Sequence, residues 1–133
     1  MKITDLMIGD WFGFKIGEEL VIDRISSILG DSVLGESLIR VKVRYLYPIS
    51  IFPETEDKTL CRMKFDKCLY KGVPAWCRLF DSNYKASIYL EEERSFLSID
   101  NDRDYHIMKI PCDYVHQIQH ALKQINIEPD FIL

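Results

Sequence analysis

Hydrophobic and polar positions change period along this chain, and the changes mark its regions. Near the start, "DWFGFKI" (10–16) and "EELVIDRISSI" (18–28) are apolar, aromatic and β-branched, with Gly17 between them. The clearest pattern lies in "SLIRVKVRYLYPI" (37–49), where Ile39, Val41, Val43 and Tyr45 alternate with Arg40, Lys42 and Arg44. A period of two marks a strand with one face packed and the other in water. Short strands of this kind predict a small, twisted antiparallel β unit, SH3-like or OB-like, over residues 1–50.

Pro48 and Pro53 then bracket a change of character. "PETEDKTLCRMKF" has proline at a helix start, acids in the first turn and basic residues near the end. That order suits the helix dipole and predicts a short helix over 54–63. Further on, the sequence predicts a turn at Gly72–Pro74, a strand around Trp76–Phe80 and a turn at "DSN" (81–83). Ala86, Ile88 and Leu90 alternate, and 94–99 and 105–110 are two further strands joined by "DNDRD", which together make a second antiparallel sheet. From Pro111 the period becomes helical: Val115, Ile118, Leu122 and Ile125 follow 3-4-3 spacing, Asp113 is placed to cap the start, and Pro129 ends the region. The expectation is an α+β fold in one domain, 1–133. Its sub-regions are a β unit (1–50) and a helix–sheet–helix part (51–133), with the C-terminal helix packed on the second sheet.

Composition narrows the function classes. Seventeen basic and twenty-one acidic side chains leave a net charge of −4, so any nucleic-acid binding needs a local basic patch. The opening "MKITDLMIGDWFGF" has no uninterrupted apolar core or small-residue cleavage site, and no stretch approaches a membrane span, so a cytoplasmic location is expected. Cys61, Cys68, Cys77 and Cys112 form no C-x-x-C pair, and reduced, mostly buried thiols are expected.

Candidate chemistry is sparse. "VHQIQHAL" places His116 and His120 four apart, and Cys112 falls on the same helical stripe, opposite Val115, Ile118, Leu122 and Ile125. The sharp reading is a zinc site of Cys112, His116 and His120, with His106 as a fourth ligand. Against it, Gln117 stands where the H-E-x-x-H motif needs glutamate as general base, so a structural or solvated helix face is favoured. "GDSVLGES" (30–37) resembles a phosphate-binding loop but has Glu36 in place of the lysine, and is read as a hairpin loop. "DNDRD" spaces Asp100, Asp102 and Asp104 like the start of a calcium loop, yet Tyr105 replaces the glycine and Pro111 the glutamate; a solvated turn is favoured. "LEEER" (90–94) is read as a charged turn or edge. Arg40, Lys42 and Arg44, with Tyr45 and Tyr47 close by, form a stripe able to meet single-stranded nucleic acid by charge and stacking. The plainer reading is the wet face of an amphipathic strand. No nucleophile motif is present, no cofactor is implied, and Cys112 with His106 would pair only through the fold.

The two ends of the chain carry a resemblance. "MKITDLMIGDWF" resembles the opening of small proteins from Bacteroidales phages, prophages and conjugative elements, and "YVHQIQHALKQINIEPDFIL" (114–133) is similar to their "YVHQLQ" end. Their middle phrase "PIPLTxEILxKxGF" has a diverged counterpart in "YPISIFPETEDKTLCRMKF" (47–65), with Pro48 and Phe65 in place. The resemblance implies a cytosolic accessory protein of a mobile element, in which "YVHQIQ" belongs to the structural plan. The functional expectation is therefore a non-catalytic protein acting through protein partners. The alternatives are a nucleic-acid-binding small barrel using Arg40, Lys42, Arg44 and Tyr45, and a metal-dependent enzyme built on Cys112, His116 and His120.

Overall fold

The computed structural model describes residues 6–51, 59–81, 83–101, 103 and 105–133. It divides into two compact units, Met1–Ser50 with Tyr114–His120, and Ile51–Asp113 with Ala121–Leu133. The class is α+β, as expected, with two antiparallel sheets and a C-terminal helix.

The first unit is a curled four-stranded sheet in the order β1 (Trp11–Ile16), β2 (Glu19–Leu29), β3 (Ser32–Gly35), β4 (Arg40–Lys42). Two-residue turns join the first three strands, with Gly17 (φ 64°) and Gly30 (φ 61°) taking the left-handed conformation such turns demand. After β4 the chain makes a 3-10 turn, Val43–Tyr45, and comes back to β1. Tyr47 there exchanges two backbone hydrogen bonds with Gly13, at 2.8 and 2.7 Å. The sheet thereby rolls into a half-barrel around Phe12, Phe14, Ile25, Val33, Val41, Val43 and Leu46. Burial of each such side chain stabilises by roughly 1.5–3 kcal/mol.

Two expectations are corrected here. Residues 32–35, read as loop, form β3: the hairpin turn is only Gly30–Asp31. The long strand expected over 37–49 stops at Lys42, so Tyr45 is 57% exposed instead of facing the core. The cause is local: Val43 N–H donates to Asp31 O (2.9 Å), and Leu46 N–H donates back to Val43 O (3.0 Å), which turns the chain out of the ladder. Gly35 has its own reason. A Cβ at this position would fall 2.0 Å from Asp23 Oδ2. That carboxylate accepts from Ser37 Oγ and, through Oδ1, from Arg24 N–H (2.8 Å).

The second unit starts with a short helix, α1 (Thr59–Arg62); the rest of the helix expected over 54–63 lies outside the described residues apart from Met63, which is in a turn. Five strands follow and pair in sequence order: β5 (Asp66–Tyr70), β6 (Val73–Phe80), β7 (Tyr84–Glu91), β8 (Arg94–Asn101) and β9 (His106–Pro111). The turn expected at Gly72–Pro74 is Lys71–Gly72, and Pro74 lies in β6 opposite Leu69. Glu92 (φ 51°) and Glu93 (φ 66°) make the β7–β8 turn. One face of this sheet is core, with Ala86, Ile88, Leu97 and Ile99 wholly enclosed. Phe65, Phe80 and Phe131 meet near it at centroid distances of 6.3–6.4 Å. Arg78 covers the Phe80 ring at 4.5 Å while donating to Met63 O (2.8 Å) and to the Asp130 carboxylate (2.7 Å).

The other face carries Tyr70, Ala75, Cys77 and Tyr89, with the two tyrosines stacked at 5.0 Å. On this face the expectation of reduced thiols is overturned for two of the four cysteines. Asp66 pairs with Cys77 and Cys68 with Ala75, so Cys68 and Cys77 are diagonal neighbours on one face, and they form a disulfide with Cα atoms 6.0 Å apart. Cys61 and Cys112 are not disulfide-bonded.

The C-terminal helix, α2 (Val115–Gln124), buries Val115, Ile118 and Leu122 completely, as its periodicity predicts. Its ends are set by side chains and backbone. Gln117 Oε1 accepts from Tyr114 N–H (3.0 Å), one half of a capping box. At the other end Asn126 adopts φ 61°, Ile127 N–H donates to Leu122 O and Asn126 N–H to Lys123 O. This Schellman motif stops the helix before Pro129 is reached. No helix among the described residues is long and apolar enough to cross a membrane.

Candidate functional site

The histidine stripe resolves into a buried polar cluster within the first unit. Asp10, fully enclosed at the entrance to β1, accepts through Oδ2 from Met7 N–H (2.8 Å) and from His120 Nε2 (2.7 Å). His120 is also edge-on to His116 at 5.5 Å, and Tyr114 stacks on His116 at 5.9 Å. Gln119, 3% exposed, binds the same stretch of chain from the helix. Its Oε1 accepts from Trp11 N–H (3.1 Å) and its Nε2 donates to Gly9 O (2.8 Å). Of the two plain readings of this helix face, structural or solvated, the structural one holds: it is largely packed, because β1 starts with backbone groups that need partners. Asp10 has no motif of its own in the sequence; its one signal is its place in the "IGDW" phrase of the opening.

The metal reading gains no ligand set. Among the described residues no group of three or more His, Cys, Asp or Glu side chains is arranged to hold an ion. Cys112 is wholly enclosed, with its carbonyl bonded by Ser95 Oγ, which also donates to Asp113 Oδ1 (2.7 Å). His106 faces Asp100 (3.2 Å) in the second unit. Of the calcium-like aspartates, Asp100 is in β8, 7% exposed, and Asp102 and Asp104 lie outside the described residues. Glu36, the residue that broke the phosphate-loop pattern, forms a two-point pair with Arg24 at 2.8 and 3.1 Å.

The basic stripe is present as a surface. Arg40, Lys42 and Arg44 are exposed and alternate with buried Val41 and Val43. Arg44 lies over the Tyr45 ring at 5.0 Å and Lys15 over Tyr47 at 5.6 Å.

The feature the sequence did not disclose is a cleft of about 490 Å³ in the second unit, at one end of its sheet. The register explains its lining. Lys67, Trp76 and Ile88 form one cross-strand row of it, Pro74 and Leu90 lie beyond that row, and Cys68, Val73, Ala75 and Tyr89 complete the wall. The row runs into the core, where Ile88 and Leu97 are fully buried; beyond it, Leu69 is 66% and Leu90 57% exposed. Lys67 Nζ sits over the Trp76 ring at 5.6 Å. β5 is the outermost strand of the described sheet, so one side of its backbone has no partner strand among the described residues. Between Arg62 and Lys71 the exposed cations Arg62, Lys64, Lys67 and Lys71 face a single acid, Asp66. This edge is basic on a chain that is acidic as a whole. Comparison with known families, curated proteins and solved structures finds no match to the chain.

Proposed function

We propose that the protein is a non-catalytic binding module that takes an extended, acidic segment of a partner protein along β5, with an apolar side chain in the Trp76 cleft. The observation that carries this is an outer strand, β5, whose Lys67 lines an open apolar cleft and whose neighbouring sequence is rich in exposed cations. A peptide added to a sheet edge is held by main-chain hydrogen bonds, and pockets for alternate side chains give selectivity. Lysines on an outer strand also discourage pairing between copies, which suits an edge reserved for an acidic partner. The resemblance of the chain's two ends supports an accessory role in a mobile genetic element. Selection from a display library of random extended peptides tests the reading. It expects acidic sequences flanking one apolar residue, amide shifts confined to β5 and β6, and a loss of at least about tenfold in affinity, ~1.4 kcal/mol, in Leu69→Lys/Leu90→Lys. Peptides whose affinity ignores that double substitution would refute it.

A second reading, a nucleic-acid interface on the first unit, rests on the exposed Arg44–Tyr45 and Lys15–Tyr47 pairs. Such pairs combine charge with stacking faces. It expects salt-dependent binding of single-stranded DNA that disappears in Arg40→Glu/Arg44→Glu, and it fails if the variant binds as the parent does.

A further inference from the structure

We infer that Cys68–Cys77 is a reversible thiol–disulfide exchange site, opened by a small dithiol that attacks at Cys68. The two sulfurs differ in their surroundings. Cys68 lies on the outermost described strand, is half-buried and lines the open cleft beside β5. Cys77 lies one strand further in and is 9% exposed, with Sγ 3.5 Å from Ser87 Oγ. It also lines a hollow of about 280 Å³ with Lys64, Lys85 and Asp66. Exchange needs an approachable sulfur for the incoming thiolate and a stabilised departing one. The site separates these roles between its two cysteines.

The step balances as follows. A thiolate of the dithiol bonds to Cys68 Sγ, the Cys68–Cys77 bond breaks, and its electron pair leaves on Cys77. The Ser87 hydroxyl and the ammonium groups of Lys64 and Lys85 favour that anion, and the single carboxylate of Asp66 opposes them. Cys77 then takes the proton given up by the dithiol. The second thiol of the dithiol displaces Cys68, leaving a cyclic disulfide and two protein thiols. The dithiol supplies both electrons. Release of the bond removes a covalent link between β5 and β6 but leaves their ladder and the Lys71–Gly72 turn to hold the hairpin, so the chain stays folded in both forms.

Full-length protein carrying Cys61→Ser, which removes the exposed free thiol, serves for the test. Incubation with dithiothreitol in native buffer should raise the mass by about 2 Da, reversibly, with an unchanged far-ultraviolet circular dichroism spectrum. Glutathione disulfide should then modify Cys61→Ser/Cys77→Ser at Cys68 at least about tenfold faster than Cys61→Ser/Cys68→Ser at Cys77. If a double variant does not fold, limiting iodoacetamide on the reduced Cys61→Ser chain followed by peptide mapping replaces it, and the first label should sit on Cys68. A mass that dithiothreitol cannot change under native conditions overturns the proposal. So does equal or faster reaction at Cys77.

Discussion

The side-chain amide of Gln119 binds the main chain on both sides of Asp10: it accepts from Trp11 N–H at 3.1 Å and donates to Gly9 O at 2.8 Å. One helical side chain thus does what a neighbouring strand would do at the entrance to β1. Gln119→Leu has nearly the same volume and removes both hydrogen bonds, leaving buried backbone groups without them. The expected cost is about 2–4 kcal/mol, read as a fall in the urea midpoint with an unchanged slope. Asn, one methylene shorter, should recover little of it.

Asp10 and His120 should be coupled. Asp10→Ala takes the acceptor from Met7 N–H and from His120, at an expected cost of about 2–3 kcal/mol. His120→Ala leaves an enclosed carboxylate with one hydrogen bond fewer. A double-mutant cycle should show the pair of changes costing less than their sum by about 1 kcal/mol or more. Strict additivity would show that the 2.7 Å contact contributes nothing of its own.

Gly35 is fixed by its neighbour, not by its backbone angles. Gly35→Ala drives a methyl against the Asp23 carboxylate and should cost about 1–3 kcal/mol in thermal or chemical unfolding. In an Asp23→Ala background the space is vacated, and the same substitution should be nearly neutral.

The β7–β8 turn has two left-handed glutamates, where the favoured pair is Asn-Gly. Glu92→Asn/Glu93→Gly should stabilise the second unit by about 1–2 kcal/mol through relief of the left-handed conformation. Hydrogen exchange of the β7 and β8 amides should slow in parallel.

Lys109 gives a pH dependence of known sign. Its hydrogen bond to the Glu91 carboxylate at 2.6 Å raises the ammonium above its ordinary 10.5, against a smaller opposing effect of desolvation. A raised value in the folded state means that the pair's contribution is fully present below 10.5 and is lost as pH rises through the folded value. Glu91→Gln should bring the Lys109 midpoint down, as followed by its Cε–H chemical shifts. An unchanged midpoint would exclude Glu91 as the cause.

Where periodicity was strong, the sequence was readable. The α2 spacing of Val115, Ile118 and Leu122 and the alternation around Val41 correspond to buried positions. β3 and β5 escaped notice for physical reasons. "SVLG" is short and flanked by turn residues, and "DKCLY" holds only two apolar residues apart from its cysteine, because an outermost strand need not bury both sides. The cleft was invisible for the same reason: its wall joins Lys67, Trp76 and Ile88 from three strands, and only register brings them together. The Cys68–Cys77 bond likewise follows from a two-residue turn at Lys71–Gly72, not from any cysteine spacing rule. For the histidines the sequence shows a stripe on one helix face but not what it meets, since Asp10, the partner of His120, lies more than a hundred positions away.

That separation sets a timetable for synthesis. The first unit is completed by Tyr114–His120, so its strands leave the ribosome long before the residues that satisfy Gly9, Asp10 and Trp11. At ~5–20 residues per second the wait is about 5–20 s, during which Gly9, Asp10 and Trp11 lack the side chains of Gln119 and His120. The first unit therefore waits on a segment made much later: a stop codon just before "YVHQIQH" would leave the earliest-made strands without their final partners.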